Sequence, residues 1–330
     1  MRILVAPLNW GLGHASRCVP LIQQLHSEGH EVVLGGAGES LTLLRKHFPM
    51  SDVLPLAPLE LRYGSGKRQV WAMLCALPKI IVSAVRDHRM IVEYMQYEKI
   101  DEIISDNRFG LYLNKGNGGN HVADCKTVYI THQLVVPLPH GWQWLEPILA
   151  KWHKRLIDRY DECWIPDQAV GTTGQMGLAG RLSHPAVMPP NARYIGVLSR
   201  FSGKTYAVDT SYAVVAVLSG LEPQRTIFEQ SICQRYENAD DTVLIVRGKM
   251  QGPPTMVKHN NITIIPWLDD NHLAAFLLGA KCIICRSGYS SVMDMYALGV
   301  ENKVEWHPTP GQPEQEYLAE YLKNRERDMI

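Results

Sequence analysis

Residues 283–299 read IICRSGYSSVMDMYALG. Ile283 and Ile284 give an apolar run suited to a buried strand, and Arg286, Ser287 and Gly288 form a small polar turn. Val292, Met295, Tyr296 and Leu298 then recur at helical spacing until Gly299 stops the pattern. The spacing predicts strand, tight turn, helix. The first N–H groups of a helix lack intrahelical partners and stand at the positive end of its dipole. Ser287, Gly288, Tyr289 and Ser290, with Arg286 beside them, are therefore placed to hold a phosphate. Asp294, about two turns in, stands where a carboxylate reaches a ribose hydroxyl. An ordinary βα unit with a serine cap fits the same letters.

The stretch EWHPTPGQPEQEYL at 305–318 tips the balance. A Pro/Gly-rich loop leads into Glu314 and Gln315 and then a helix, which puts an acid and an amide at a helix entrance near the same sheet edge. That pair suits sugar hydroxyls.

Together, SGYSSVMDMYALG and GQPEQEYLAEYL resemble the donor-binding half of the GT-B glycosyltransferases, in particular the group around the lipid-linked N-acetylglucosaminyl transferase of peptidoglycan synthesis. The resemblance implies an α/β chain of two Rossmann-like domains facing each other across a cleft, with a C-terminal helix crossing back. It implies Ser287 and Gly288 at the donor diphosphate, Asp294 at the ribose, and Glu314 with Gln315 at the donor hexose. Asp294 replaces the family's commoner glutamate and has a shorter reach.

A length of 330 residues suits two domains. The boundaries fall at 1–200 and 211–330, with the small polar stretch SRFSGKTYAVDT at 199–210 read as the linker. Acidic and basic residues balance at 33 each, so no global field recruits nucleic acid. Seven cysteines without framework spacing point to reduced thiols and a cytoplasmic location. Cys282 and Cys285 form a CxxC inside an apparent strand, and no second pair follows, which argues against structural zinc. No metal and no cofactor are expected; a nucleotide sugar enters as substrate. No apolar run reaches the ~20 residues of a membrane span.

The N-terminal half opens with RILVAPL, a near-continuous apolar run typical of a parallel strand covered on both faces. Gly11 and Gly13 follow, then a helix and the strand around Val32 and Val33, a βαβ unit. Gly11-x-Gly13-x-x-Ser16 only approximates a dinucleotide fingerprint. The acid such a fingerprint needs is missing, since Glu39 lies beyond a glycine stretch. His14, at the mouth of the glycine turn, is placed for proton transfer near neutrality or to cap its own helix. GLGHASR is similar to the family's N-terminal glycine loop, which implies that His14 lies on the acceptor side, as general base. Asp106 and Arg108 end one strand and His132 follows another; at the carboxyl edge of an open sheet they face a ligand crevice. Asp106 and Arg108 either bind an acceptor or pair with each other.

Two stretches mix large apolar and basic residues. One carries Arg62, Lys67, Arg68, Trp71, Met73 and Leu74; the other has Trp142, Trp144 and Trp152 among Lys151, Lys154 and Arg155. Both fit either a bilayer surface or packing on their own domain.

The second half repeats the plan of the first. AVVAVL breaks at Ser219-Gly220 and resumes as a helix with Arg225 in its first turn, and the next strand ends at Arg247. The resemblance places Ser219, Gly220 and Arg225 near the diphosphate and Trp267 or Leu268 at the base, with uridine as that base; Arg247, at the end of its strand, is counted with the donor-binding residues. The expected activity is hexosyl transfer from a UDP-sugar to a hydroxyl of a glycan or lipid-linked acceptor, inverting and metal-independent, with peripheral contact at the inner membrane face. An epimerase or hydrolase of the same fold, or a non-catalytic sugar-nucleotide-binding protein, shares the donor site but needs no acceptor.

Overall fold

The computed structural model describes residues 1–9, 11–58, 69–113, 124–139, 141–171, 175–220, 222–249 and 256–328. Arg62, Lys67 and Arg68 lie outside them. The chain divides into two compact units, Met1–Leu198 and Ser199–Ile330.

In the first unit β1 (Arg2–Pro7), β2 (Glu31–Gly36), β3 (Val53–Pro55), β4 (Glu102–Asp106), β5 (Lys126–Ile130), β6 (Glu162–Ile165) and β7 (Ala192–Tyr194) form a seven-stranded sheet. Its order is β3-β2-β1-β4-β5-β6-β7 and its pairings are parallel. The helices are α1 (Gly13–Ser27), α2 (Gly38–His47), α3 (Gln69–Tyr94) and α4 (Glu146–Ile157). Parallel strands need crossover helices, which cover the faces, and Ile3, Leu4, Val5 and Ala6 of β1 are accordingly all fully buried. From β1 the chain winds toward β3, and from β4 it winds the other way. In such a sheet ligands bind outside the carboxyl ends of the strands where the order reverses, here beyond Pro7 and Asp106.

The second unit holds β8 (Val214–Val217), β9 (Val243–Val246), β10 (Val257–His259), β11 (Ile262–Ile265), β12 (Cys282–Arg286) and β13 (Val304–His307) in the order β10-β11-β9-β8-β12-β13. Its helices are α5 (Gln224–Tyr236), α6 (Asp270–Gly279), α7 (Tyr289–Leu298) and α8 (Pro313–Asp328). The run around β8 alternates between two cores: Val214, Ala216 and Leu218 pack with Phe228 and Ile232, and Val215 packs with Leu273, Leu277 and Met295. Only the β10–β11 pairing is antiparallel among the described residues. The short, exposed VKH of β10 carries no pattern that marks it in sequence. Here the order reverses between β8 and β12, so the turns at Ser219-Gly220 and Ser287-Gly288 flank the crevice position.

The stretch read as a linker is built into the second unit. Phe201 is 1% exposed in the core with Val215 and Ile283. The Asp209 N–H donates to the Ala275 carbonyl at 3.0 Å, and a Cβ on Gly279 would meet the Asp209 carbonyl at 1.9 Å. Small polar composition marked this segment as a linker because its two aromatics, Phe201 and Tyr206, are too sparse to show a period.

Candidate functional site

At the crevice position of the first sheet, Gly11 adopts φ +76°, a conformation glycine reaches at no steric cost, and α1 begins two residues later. This lifts His14, 15% exposed, to the carboxyl edge. Its Nδ1 lies 3.1 Å from Oδ1 of Asp106, the last residue of β4, which is completely buried. Arg17, one turn along α1 and 2% exposed, donates from Nε to Asp106 Oδ2 at 2.6 Å and from its terminal nitrogen to Oδ1. The same guanidinium lies 2.9 Å from His14 Nδ1 and 3.3 Å from Nδ1 of His132, the latter 5% exposed beyond β5. Burial raises the pKa of Asp106, but the charges and hydrogen bonds of Arg17 and His14 outweigh it and hold the carboxyl well below the usual carboxylate range. His14 Nδ1 thus stands between a carboxylate that only accepts and a guanidinium that only donates; in the tautomer that donates Nδ1–H to Asp106, Nε2 carries the lone pair, the arrangement of an oriented general base.

His14, Asp106 and His132 gather around Arg17, with Asp106 completely buried beneath His14 and closed to a ligand. Arg108 is separate. Asn107 takes φ +60° at the end of β4 and turns the chain, so Arg108 leaves toward α3. There it donates to Asp87 at 2.9 and 3.0 Å and to the Ala57 carbonyl at 2.6 Å. At 1% exposure Arg108 is a core ion pair, neither bound to Asp106 nor open to a substrate. Arg17 escaped the sequence reading. Its place one turn after His14 was the available signal, but the acid it binds lies 89 residues away.

In the second unit β12 delivers Arg286, Ser287 and Gly288 to the start of α7, which has no side-chain cap. The Ser287 hydroxyl donates to the Gln315 carbonyl at 2.7 Å, and Gln315 Oε1 accepts from the Thr309 N–H at 2.8 Å. A Cβ on Gly288 would lie 4.0 Å from Gln315 Nε2. The Ser-Gly turn and the start of α8, with Glu314 half-buried beside Gln315, therefore form one cluster. The hydroxyl of Ser287 is occupied within it. Tyr289 is 2% exposed and Ser290 is half-buried, so Tyr289 offers a ligand its backbone rather than its ring.

Arg286 is the unusual member. It is 5% exposed, donates to the carbonyls of Pro308 at 2.8 Å and Gln224 at 3.3 Å, and stacks 3.9 Å from the Phe228 ring. Its buried Nε has no hydrogen-bond partner and, among the described residues, no carboxylate pairs with it. Burial pulls its pKa down to about 10. A buried cation without an acid is costly unless an anion completes it.

Other assignments shift. Asp294 is 8% exposed, accepts from Ser199 Oγ at 2.6 Å and from Arg200 Nε at 3.3 Å, and has its pKa raised by burial. Its carboxylate ties residues 199–200 to α7 and is not presented to a ribose. Arg225 is bound to Glu222 at 3.2 Å and Arg247 to Glu229 at 2.6 and 2.7 Å, so both reach the crevice edge already paired. Ser219 is half-buried and Gly220 exposed at the end of β8. Trp267 is half-buried, and Leu268 packs on the core around Phe201.

On α4 and the turn before it, Trp144, Ile148 and Trp152 follow at i, i+4 and i+8 and are 69%, 63% and 47% exposed, while His153 and Ile157 face inward. Trp142 is 44% exposed, and Lys151 and Arg155 are exposed beside the stripe. Among the described residues no helix is long and apolar enough to cross a membrane.

No family model matches the chain. An uncharacterized glycosyltransferase of Methanosarcina acetivorans is 22% identical over 338 residues, covering 97% of this chain and 82% of that protein. Among solved structures, the glycotransferase of kitacinnamycin superposes with a TM-score of 0.63 at 13% identity, over 98% of this chain and 83% of that one. MurG of Acinetobacter baumannii gives 0.51 at 13% identity, over 98% and 83% of the two chains. Spinosyn rhamnosyltransferase SpnG, complexed with thymidine diphosphate, gives 0.53 at 14% identity, over 98% and 91%. At these identities the likeness to solved structures is one of fold.

Proposed function

We infer that this chain, which has the fold of the GT-B glycosyltransferases, is itself a glycosyltransferase that moves a sugar from a nucleoside diphosphate to an acceptor hydroxyl. The observation that carries the reading is the buried Asp106 beneath His14 at the strand-order reversal of the first sheet. A carboxylate that fixes one imidazole nitrogen leaves the other to take a hydroxyl proton. The Methanosarcina relative, itself described as a glycosyltransferase, supports the same class.

The donor belongs to the second unit. Its diphosphate lies against the first N–H groups of α7 and the unpaired Nε of Arg286, and its hexose against Glu314 and Gln315. The developing charge on the leaving diphosphate is met by these groups, so turnover proceeds without a metal. Direct attack of the deprotonated hydroxyl on the anomeric carbon inverts its configuration. Uridine is the base proposed; the thymidine diphosphate bound by the spinosyn enzyme makes thymidine the natural competitor in a test. The Trp144–Ile148–Trp152 stripe with its basic flank suits a peripheral contact with an anionic bilayer, which fits a lipid-linked acceptor.

Thermal stabilisation by free nucleotides tests the donor half, because a ligand that binds only the folded state raises the unfolding midpoint. A rise with UDP that persists in EDTA supports the reading. No rise with any nucleoside diphosphate, but one with a dinucleotide, overturns it.

A further inference from the structure

We propose that Lys249, gathered with Arg225 at the turn between β8 and α5, binds the nucleoside-side phosphate of the donor, while the start of α7 takes the sugar-side one. The inference rests on the glycosyltransferase reading and divides its diphosphate between two subsites.

Strand order carries the division. In the second sheet β11, β9, β8, β12 and β13 lie side by side in that order, and ligands of such a sheet lie along its carboxyl edge. With the base at Trp267, beyond β11, and the hexose at Glu314 and Gln315, beyond β13, the nucleotide sugar runs along that edge from β11 toward β13. Its nucleoside-side phosphate then passes the ends of β9 and β8, and its sugar-side phosphate meets Arg286 at the end of β12.

The end of β9 is built to present a cation. Gly248 takes φ +64°, and an added Cβ would come within 2.7 Å of the Leu218 carbonyl, so this glycine lets the two strand ends close together. The Lys249 N–H donates to the Pro266 carbonyl at 2.9 Å, which fixes its backbone. Its Nζ lies 2.8 Å from Oε1 of Glu222, and Arg225 Nε lies 3.2 Å from the same oxygen. Glu222 Oε2 accepts from the hydroxyl and N–H of Thr226 at 2.7 and 3.2 Å. Burial raises the pKa of Glu222, but Lys249, Thr226 and Arg225 outweigh it and bring it down to about 2. One ionised oxygen therefore gathers two cations, and among the described residues no second carboxylate pairs with either. Arg247 differs, since both oxygens of Glu229 hold it. The same first turn of α5 offers the Gln224 carbonyl to Arg286, whose buried Nε has no partner, so these cations border one stretch of the edge. Cations in excess of carboxylate, held in place before a ligand arrives, suit a phosphate.

Isothermal titration calorimetry of the full chain with uridine, UMP and UDP separates the two phosphates. Lys249→Met should lower UMP and UDP affinity about tenfold each and leave uridine unchanged, and Lys249→Arg should restore most of the loss. The Lys249 side chain is 40% exposed, so its replacement leaves the core intact. A loss for UDP but not UMP would put Lys249 at the other phosphate and overturn the division. Unchanged affinities, or an equal loss for uridine, would overturn its role as a phosphate ligand. A wild-type chain that binds no UDP takes the glycosyltransferase reading down as well, an outcome distinct from wild-type binding that Lys249→Met leaves intact.

Discussion

His14 and Asp106 stand 92 residues apart in the chain and meet at 3.1 Å. Because the pair serves proton removal and the donor groups sit in the other unit, His14→Gln should lower sugar transfer by about 10²–10⁴-fold while leaving the UDP-induced rise in midpoint intact. Full turnover in that variant, measured with any accepted acceptor, would remove His14 from the mechanism. His153 gives a second, purely structural prediction. It is 5% exposed beside Tyr129, and burial pushes its pKa down to about 4. The unfolded chain binds this proton near pH ~6.5. The folded value is the lower one, so stability is complete above ~6.5 and declines as pH falls toward 4, by up to ~3 kcal/mol. Denaturant unfolding of His153→Gln should show a flatter dependence across that window; an unchanged slope would mean that the folded protein accommodates the imidazolium.

At the level of elements, the start of α7 and the outer face of α4 each make a claim. Gly288 has φ −73° and no atom closer than 4.0 Å to an added Cβ, so a methyl group fits the fold there. A side chain at that point covers the first N–H groups of the helix. Gly288→Ala should keep its own melting temperature within a few degrees but weaken the rise with UDP; an unchanged rise would put the diphosphate elsewhere. For α4, the exposed Trp144, Ile148 and Trp152 are expected to carry binding to anionic phosphatidylglycerol vesicles. Replacing all three by serine should abolish co-sedimentation with vesicles while leaving nucleotide binding unchanged. Equal sedimentation of variant and wild type would assign the stripe another role.

For the molecule as a whole, the question is where the second unit begins. Phe201 is in its core and Ser199 holds Asp294, so the unit starts at Ser199 and not at the end of the polar stretch. Phe201→Ala should therefore weaken the second unit's unfolding transition by ~3–5 kcal/mol, as for a core phenylalanine. A linker residue would change it by no more than ~0.5 kcal/mol. Urea unfolding followed through a probe in that unit separates the two.

The α/β plan and the two glycine or serine turns were legible in the chain itself, because central parallel strands are written as apolar runs and the turns after them as small residues. RILVAP became β1 and the run through Ile283 and Ile284 became β12; Ser287 and Gly288 follow β12 directly, and His14 lies in the first turn of α1. Pairings between distant residues were not legible. Which carboxylate serves which cation depends on strand order and on the turn that ends each strand. Only the tertiary structure put Asp106 beneath His14, sent Arg108 to Asp87 and closed Asp294 against Ser199 and Arg200. Among the described residues it also left Arg286 buried without an acid, a state that no local pattern can announce because it is defined in space and not along the chain. Local sequence determines the elements, since backbone preference and side-chain period act over a few residues. Charge pairing is decided in space, where burial makes each unpaired group costly enough to select its partner.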